Sequence, residues 1–228
     1  MNEDLFITVP ETTLPNGIVV PSFQVGQYVC SAKPDNQGLA ITQEGTPWVR
    51  ISYHDARKAC EVAGYKLITE QQWLAIAHNA AQQPCNWTKG EVGKGKLFRG
   101  IRNGHVSSGQ PGTYEPADAK ERRWLTLSNG ERICDMAGNV FQWVFDDAQG
   151  DENGITAKPF AEDSPSITAP YPNMEKGMGW RPDAGTNWSG LALIRGGYWN
   201  SERHAGAFRL DNDFPGGEWV GVGFRCTK

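Results

Sequence analysis

What this chain lacks narrows its function before any motif is read. It has no excess of positive charge. The 22 Lys and Arg against 26 Asp and Glu give a formal net charge of −4, with a pI of about 5.6, which argues against a nucleic-acid surface. No apolar run is long enough to span a bilayer. The start, Met1-Asn2-Glu3-Asp4, carries neither a basic region nor an apolar stretch, so no signal peptide and no membrane insertion are expected. There is no Cys-x-x-Cys. Cys30, Cys60, Cys85, Cys134 and Cys226 are odd in number and scattered, so reduced, mostly buried thiols are expected rather than a disulfide framework. Gly93 and Gly95 form no phosphate loop, because the Lys-Ser/Thr ending and the strand–helix context are missing.

What is present describes a globular chain. Its 228 residues suffice for one large or two small domains, and 39% hydrophobic with 21% charged residues excludes a disordered polymer. The 27 Gly, 14 Pro and 9 Trp point to many turns and to a core built around indoles. Pro10 and Leu14-Pro15-Asn16-Gly17 mark turns, so residues 1–22 read as an arm or short edge strand. Residues 23–30 alternate apolar and polar and predict a strand, as does Pro47 to Ile51. Two helices follow. Ser52 with Asp55 opens the first, which places Ala56, Ala59, Cys60 and Ala63 on one face and stops at Gly64. Thr69 and Gln72 form a capping box for the second, whose apolar stripe is Trp73, Ile76, Ala77 and Ala80, with His78 read as packed or solvated and not catalytic. Residues 84–118 and 146–190 have little period and read as long irregular segments. Between them, Ser128-Asn129-Gly130 separates two apolar runs and predicts a hairpin.

The segment from Ile194 to Cys226 interleaves two kinds of residue. Arg195-Gly196-Gly197, Trp199, Ala205-Gly206, Phe208, Leu210 and Gly223-Phe224-Arg225 look structural. Between them lie Tyr198, Asn200, Ser201, Glu202, Arg203, His204, Arg209, Asp211, Asp213, Phe214, Glu218 and Trp219, large polar and aromatic residues with no periodicity. Diverse side chains on a glycine-rich apolar frame suit a binding surface on a rigid support. Tyr, Trp and Arg supply contact area and directional hydrogen bonds at modest entropic cost. These twelve are the candidate ligand-binding residues, with Tyr198, Phe214 and Trp219 as aromatic anchors. Trp199, Phe208 and Phe224 are expected in the core, and Arg195 and Arg225 in buried hydrogen bonds to backbone.

Asp135-Met136-Ala137-Gly138-Asn139-Val140-Phe141-Gln142-Trp143 resembles the Asp-Met-x-Gly-Asn-Val-x-Glu-Trp signature of the formylglycine-generating-enzyme (sulfatase-modifying factor) superfamily. Ser52 to Ala56, Leu67 to Trp73, Arg195 to Trp199 and Gly223 to Cys226 are similar to other motifs of that superfamily, in the right order. The resemblance implies an α+β, C-type-lectin-like fold: two helices beside small twisted antiparallel sheets, with much irregular loop. It does not carry over the activity. The generating enzymes use a cysteine pair in the C-terminal part, where this chain has only Cys226. The iron-dependent members use a His-x3-His-x-Glu cluster, and no two of His54, His78, His105 and His204 have that spacing. Gln142 replaces the signature's glutamate, weakening any calcium site. No metal and no cofactor are therefore expected.

The frame Arg-Gly-Gly-x-Trp-x(5)-Ala-Gly-x-Phe-x-Leu, closing on Gly-Phe-Arg, more closely resembles the variable region of proteins diversified by retroelements, of the phage tropism-determinant kind. In that family reverse transcription alters template adenines, so that some codons change while frame codons stay fixed. The resemblance implies an N-terminal arm over 1–22 and one lectin-like domain over 23–228, with a variable region at about 195–225. It also implies a non-enzymatic, receptor- or adhesin-type protein, carried on a phage particle or reaching a bacterial surface through a partner. The expected ligand is a protein or glycan on a target cell. An oligomer is left open, since no coiled-coil segment is visible. The alternatives are an oxidoreductase of the formylglycine-generating type and a fixed structural subunit of a phage or surface assembly.

Overall fold

A computed structural model describes residues 4–33 and 38–228. In chain order the strands and helices are β1 (Phe6–Val9), β2 (Thr12–Thr13), β3 (Val19–Val20), β4 (Phe23–Gly26), β5 (Ser31–Ala32), β6 (Leu39–Ala40), α1 (Tyr53–Val62), β7 (Lys66–Leu67), α2 (Glu70–Ala81), β8 (Trp124–Thr126), β9 (Arg132–Cys134), β10 (Phe141–Val144), β11 (Ala192–Arg195), β12 (Leu210–Asp213), β13 (Val222–Phe224) and β14 (Cys226–Thr227). The architecture is the α+β, C-type-lectin-like one: two helices, small sheets and long irregular connections.

Both helices start where their caps dictate. Thr69 and Gln72 complete a reciprocal capping box. Ser52 accepts from the Asp55 N–H at 3.1 Å, and its own hydroxyl donates to the Asp55 carboxylate at 2.7 Å, so the box at α1 closes on the side chain instead of the cap backbone. α2 is buried more completely than its stripe suggests. Leu74, Ala75 and Ala81 are covered as well as Trp73, Ile76, Ala77 and Ala80. A helix apolar all round belongs in the centre of a core, and here β2, β3 and short helical turns at Pro84–Asn86 and Pro165–Ile167 cover its other sides. The indoles anchor this core through their N–H groups. Trp73 donates to the Ala207 carbonyl at 2.7 Å, Trp87 to Ala81 at 2.9 Å and Trp143 to Ile51 at 3.0 Å.

Two predicted strands come out differently. The run from residue 23 leaves the sheet after Gly26, and Cys30 instead donates to the Phe224 carbonyl. Residues 47–51 are not a strand. Only Pro47 bridges to Ser31, because Arg50 adopts a left-handed φ of 55° and its N–H donates to the Trp219 carbonyl at 3.0 Å. The predicted hairpin is present, pairing Trp124 with Cys134 and Thr126 with Arg132 around Gly130 at φ 86°. Cys30, Cys60, Cys134 and Cys226 are buried free thiols, and Cys85 is exposed.

One four-stranded sheet has the order β1-β4-β14-β7, the other β12-β11-β10-β13. In the second sheet Gln142 pairs with Arg195 and Ile194 with Asp211, all antiparallel, while β13 runs parallel to β10. Leu193, Val144 and Leu210 face the α2 core, and Phe141, Trp143, Ala192 and Ile194 face the α1 core.

His78 is buried on α2, with its ring edge-on to Phe208 at 4.9 Å and Nε2 without a partner. Burial, and secondarily the charge of Arg195, push its pKa down to about 4 from 6.5. The unfolded chain therefore takes up this proton first. Stability is full above about pH 6.5 and drains away as pH falls from there towards 4, by about 3 kcal/mol. Urea unfolding of the wild type and of His78→Gln across that range checks this: the difference in slope should vanish at neutral pH and open on acidification. Parallel curves throughout would contradict it.

Candidate binding surface

The sheet β12-β11-β10-β13 carries the C-terminal segment, and its frame is held by groups that spend all their polarity inward. Arg195 and Glu70 form a fully buried ion pair, and Arg195 also donates to the carbonyls of Phe208 at 3.0 Å and Ser166 at 2.9 Å. Arg225 donates to Gln142 at 2.9 Å and to the carbonyls of Gly26 and Cys134 at 2.6 and 2.7 Å. Gln142 in turn donates to the Asp135 carbonyl at 2.7 Å. The polar side chains of the Asp135–Asn139 motif are occupied too. Arg123 grips the Asp135 carboxylate at 2.9 and 2.6 Å, and Asn139 donates to that carboxylate at 2.8 Å while exchanging hydrogen bonds with the Gln110 backbone.

Glycines let the backbone close over this frame. Gly197 sits at φ 95°, where an L side chain is strained, and a Cβ there would lie 3.1 Å from the Ala205 Cα. A Cβ on Gly206 would strike the Gly179 N–H and the Met178 carbonyl. Trp199 is buried with Val29, Ile101 and Val140, and Phe208 and Phe224 are fully buried.

The twelve candidate residues fall into three groups. Asn200, Glu202 and Arg203 are exposed and His204 half-buried, around a short helical turn at Glu202–His204. Glu202 holds a left-handed φ of 48° and donates its N–H to the Arg102 carbonyl at 2.8 Å. Ser201 is buried, and its hydroxyl accepts from the Tyr198 N–H at 3.0 Å.

The second group is Tyr198, Arg209, Asp211 and Asp213, all half-buried. With Leu210 turned into the α2 core, strand alternation puts Asp211 and Asp213 on the face shared with Phe141. Tyr198 stacks on Phe141 with centroids 5.7 Å apart. Arg209 pairs with Asp211 at 2.7 Å and lies over the rings of Phe141, at 5.0 Å, and Trp180, at 5.9 Å, with its buried Nε unpartnered.

The third group lies in residues 214–221, which run from β12 on one edge of the sheet to β13 on the other. Phe214 is 69% exposed and Trp219 51%, and Glu218 and Val220 are also exposed. This loop is fixed by backbone: the Tyr53 N–H donates to the Pro215 carbonyl and the Gly217 N–H to Phe214. A Cβ on Gly221 would lie 3.1 Å from the Tyr198 ring, so Tyr198 adjoins the second and third groups.

Phe141 and Trp180 are the contributors that sequence reasoning missed. The period of two in β10 placed Phe141 beside Trp143 on one face, but Trp180 sits in an irregular stretch with no local signal.

No curated protein matches the chain in sequence. Among solved structures, Treponema denticola variable protein 1 superposes with a TM-score of 0.55 at 16% identity, covering 97% of this chain and 93% of that one. PvdO from Pseudomonas aeruginosa gives 0.46 at 15% identity, covering 99% and 91%. The Major Tropism Determinant M1 variant gives 0.47 at 12% identity, covering 90% of this chain and 49% of that one. The model of the sulfatase-modifying factor enzyme 1-like domain matches residues 24–228, so the chain belongs to that domain family, in its C-type-lectin-like form.

Proposed function

We propose that the protein is a non-enzymatic binder, and that residues between Tyr198 and Trp219 form its recognition surface, diversified by a retroelement. In this reading residues 1–22 are an arm, 23–228 one lectin-like domain and about 195–225 its variable region. The observation that carries the reading is the division within one segment. The frame residues have their polar groups satisfied inside the protein, while Phe214 and Trp219 stand exposed at 69% and 51% beside the acidic Asp213 and Glu218. Exposed aromatics whose rings meet no other aromatic or cationic side chain among the described residues are what an interface core requires. The likeness to a variable protein of Treponema denticola supports a scaffold of this kind. The ligand class is a protein or glycan of a target-cell surface. Among the described residues no helix is long and apolar enough to cross a membrane, and display on a phage or cell surface would run through a partner.

An oxidoreductase reading would need a reactive thiol. Cys226 is buried with its sulfur 2.7 Å from that of Cys60 and 3.4 Å from that of Cys30, and burial raises the pKa of both Cys226 and Cys60. Protonated, inaccessible thiols are poor nucleophiles.

The test is to sequence the DNA flanking the gene. The expected finding is a reverse-transcriptase gene and a near-repeat of the codons for about residues 195–225, differing only at adenines. Differences should fall on codons such as those for Tyr198, Asn200 and Trp219, and spare those for Arg195, Trp199 and Phe224. No repeat, or one differing at frame codons, would remove the diversification from this reading.

A further inference from the structure

A second pocket, of about 200 Å³, lies outside the surface just described. Its lining includes Lys96, Arg99, Arg102, Lys120 and Arg122 together with Thr88, and no acidic side chain. That concentration of positive charge sits in a chain whose net charge is −4.

Two of the five cations are buried. Arg99 uses one nitrogen to donate to the carbonyls of Arg203 at 3.1 Å and Ala205 at 3.5 Å. Arg102 likewise uses one nitrogen, for the carbonyls of Arg99, Gly100 and Lys120 at 3.1–3.2 Å. Among the described residues, neither guanidinium takes part in an ion pair. The nearest carboxylates are turned to other donors. Glu121 accepts from the N–H groups of Arg102 and Asn103 at 2.7 and 2.8 Å, and Asp118 from the Lys120 N–H at 2.9 Å. Burial and mutual repulsion lower the Arg99 pKa to about 10. Glu121 and Asp118 act on Arg102, and Glu175 on Arg99, only from beyond ion-pair distance, which leaves the burial of both guanidiniums costly, and their remaining nitrogens are not among the fully buried unpartnered atoms of the described residues.

We propose that this pocket binds a tetrahedral oxyanion, a phosphate or sulfate group. Arg99 and Arg102 offer planar donor forks that match such oxygens. The exposed Lys120, Arg122 and Lys96 draw the anion to the mouth, a cleft of one sign of charge. Among the described residues, Lys96 lies 3.7 Å from the exposed Glu175, and the Arg122 guanidinium lies 4.4 Å from the centroid of the Phe98 ring. The volume is below the roughly 300 Å³ of ordinary small-molecule sites, which fits one oxyanion group and not a larger ligand. The group comes either from a free ion or from the end of a larger anionic molecule. Because Arg99 also holds the backbone at Arg203 and Ala205, an anion here would stiffen the neighbouring segment. The proposal does not depend on whether that segment is diversified.

Calorimetric titration at low ionic strength, with inorganic phosphate and inorganic sulfate as probes and chloride as the matched control, tests it. The expected result is saturable one-to-one binding that weakens about tenfold or more in the double variant Lys120→Gln, Arg122→Gln. Both residues are exposed, so that variant should fold. A reference variant, Lys58→Gln with Lys158→Gln, removes the same charge from exposed positions that do not line the pocket and should bind as the wild type does. A sulfated disaccharide then separates the sources: tighter binding than sulfate assigns the pocket to a terminal group, equal binding to the free ion. Absence of saturable binding, or equal weakening in both double variants, would overturn the proposal.

Discussion

Glu70→Ala will destabilise the protein by about 3–5 kcal/mol, because it leaves the Arg195 guanidinium buried without its counter-charge. For a domain of this size that corresponds to a fall in Tm of roughly 6–20 °C. The effect belongs to burial and not to pairing as such. Glu61→Ala, which removes an exposed partner 3.9 Å from Arg57, should cost no more than about 0.5 kcal/mol. Replacing both buried partners, as in Glu70→Leu with Arg195→Met, should recover much of the loss, since neither member of the pair is then left as a lone buried charge. The carbonyls of Phe208 and Ser166 would lose their donor in the double variant, so the recovery will be incomplete. Urea unfolding of the four proteins checks all three expectations. Equal small losses for Glu70→Ala and Glu61→Ala would show that the pair does not hold the frame.

Trp199→Ala should cost a comparable 3–5 kcal/mol, for a different reason. Its indole packs with Val29, Ile101 and Val140, three residues from three separated segments, and its removal leaves a cavity among them. Its neighbour Tyr198 is half-buried, stacked on Phe141 and edge-on to Trp199 at 5.2 Å, so Tyr198→Ala should lose only about 1 kcal/mol. Phe214→Ala and Trp219→Ala remove rings that face solvent and should stay within about 0.5 kcal/mol of the wild type. The order of melting temperatures, with Trp199→Ala lowest and the two loop variants unchanged, is the signature of a display scaffold. A Trp219→Ala protein as unstable as Trp199→Ala would place Trp219 in the frame.

The parts of this fold legible in the sequence are those set by short-range chemistry. Thr69 and Gln72 announce α2 because their two hydrogen bonds lie within four residues, and Asn129-Gly130 announces the β8–β9 hairpin for the same reason. The frame from Arg195 to Trp199 was readable because its glycines have no other use. What could not be read depends on distant partners. Arg50 leaves the extended region to meet the Trp219 carbonyl, 169 positions away (219 − 50), and no pattern in residues 47–51 betrays it. Arg99 and Arg102 look like ordinary surface arginines until the fold turns nearby carboxylates to other donors. Phe141 and Trp180 join Arg209 only when the irregular stretch before β11 folds back over the sheet.

β14 is the last strand in chain order. It lies inside its sheet, with Thr227 paired to Val25 on one side and Cys226 and Thr227 paired to Leu67 and Lys66 on the other. The strand that joins the N-terminal sheet to the helical layer is thus encoded downstream of the candidate surface. During synthesis the ribosome must finish the whole surface before β4 and β7 can be joined. A polypeptide cut short by a frameshift or premature stop anywhere from residue 196 to 221 has neither β13 nor β14. It cannot complete either large sheet. The topology therefore makes completion of both large sheets depend on reading the segment between β11 and β13 through to its end.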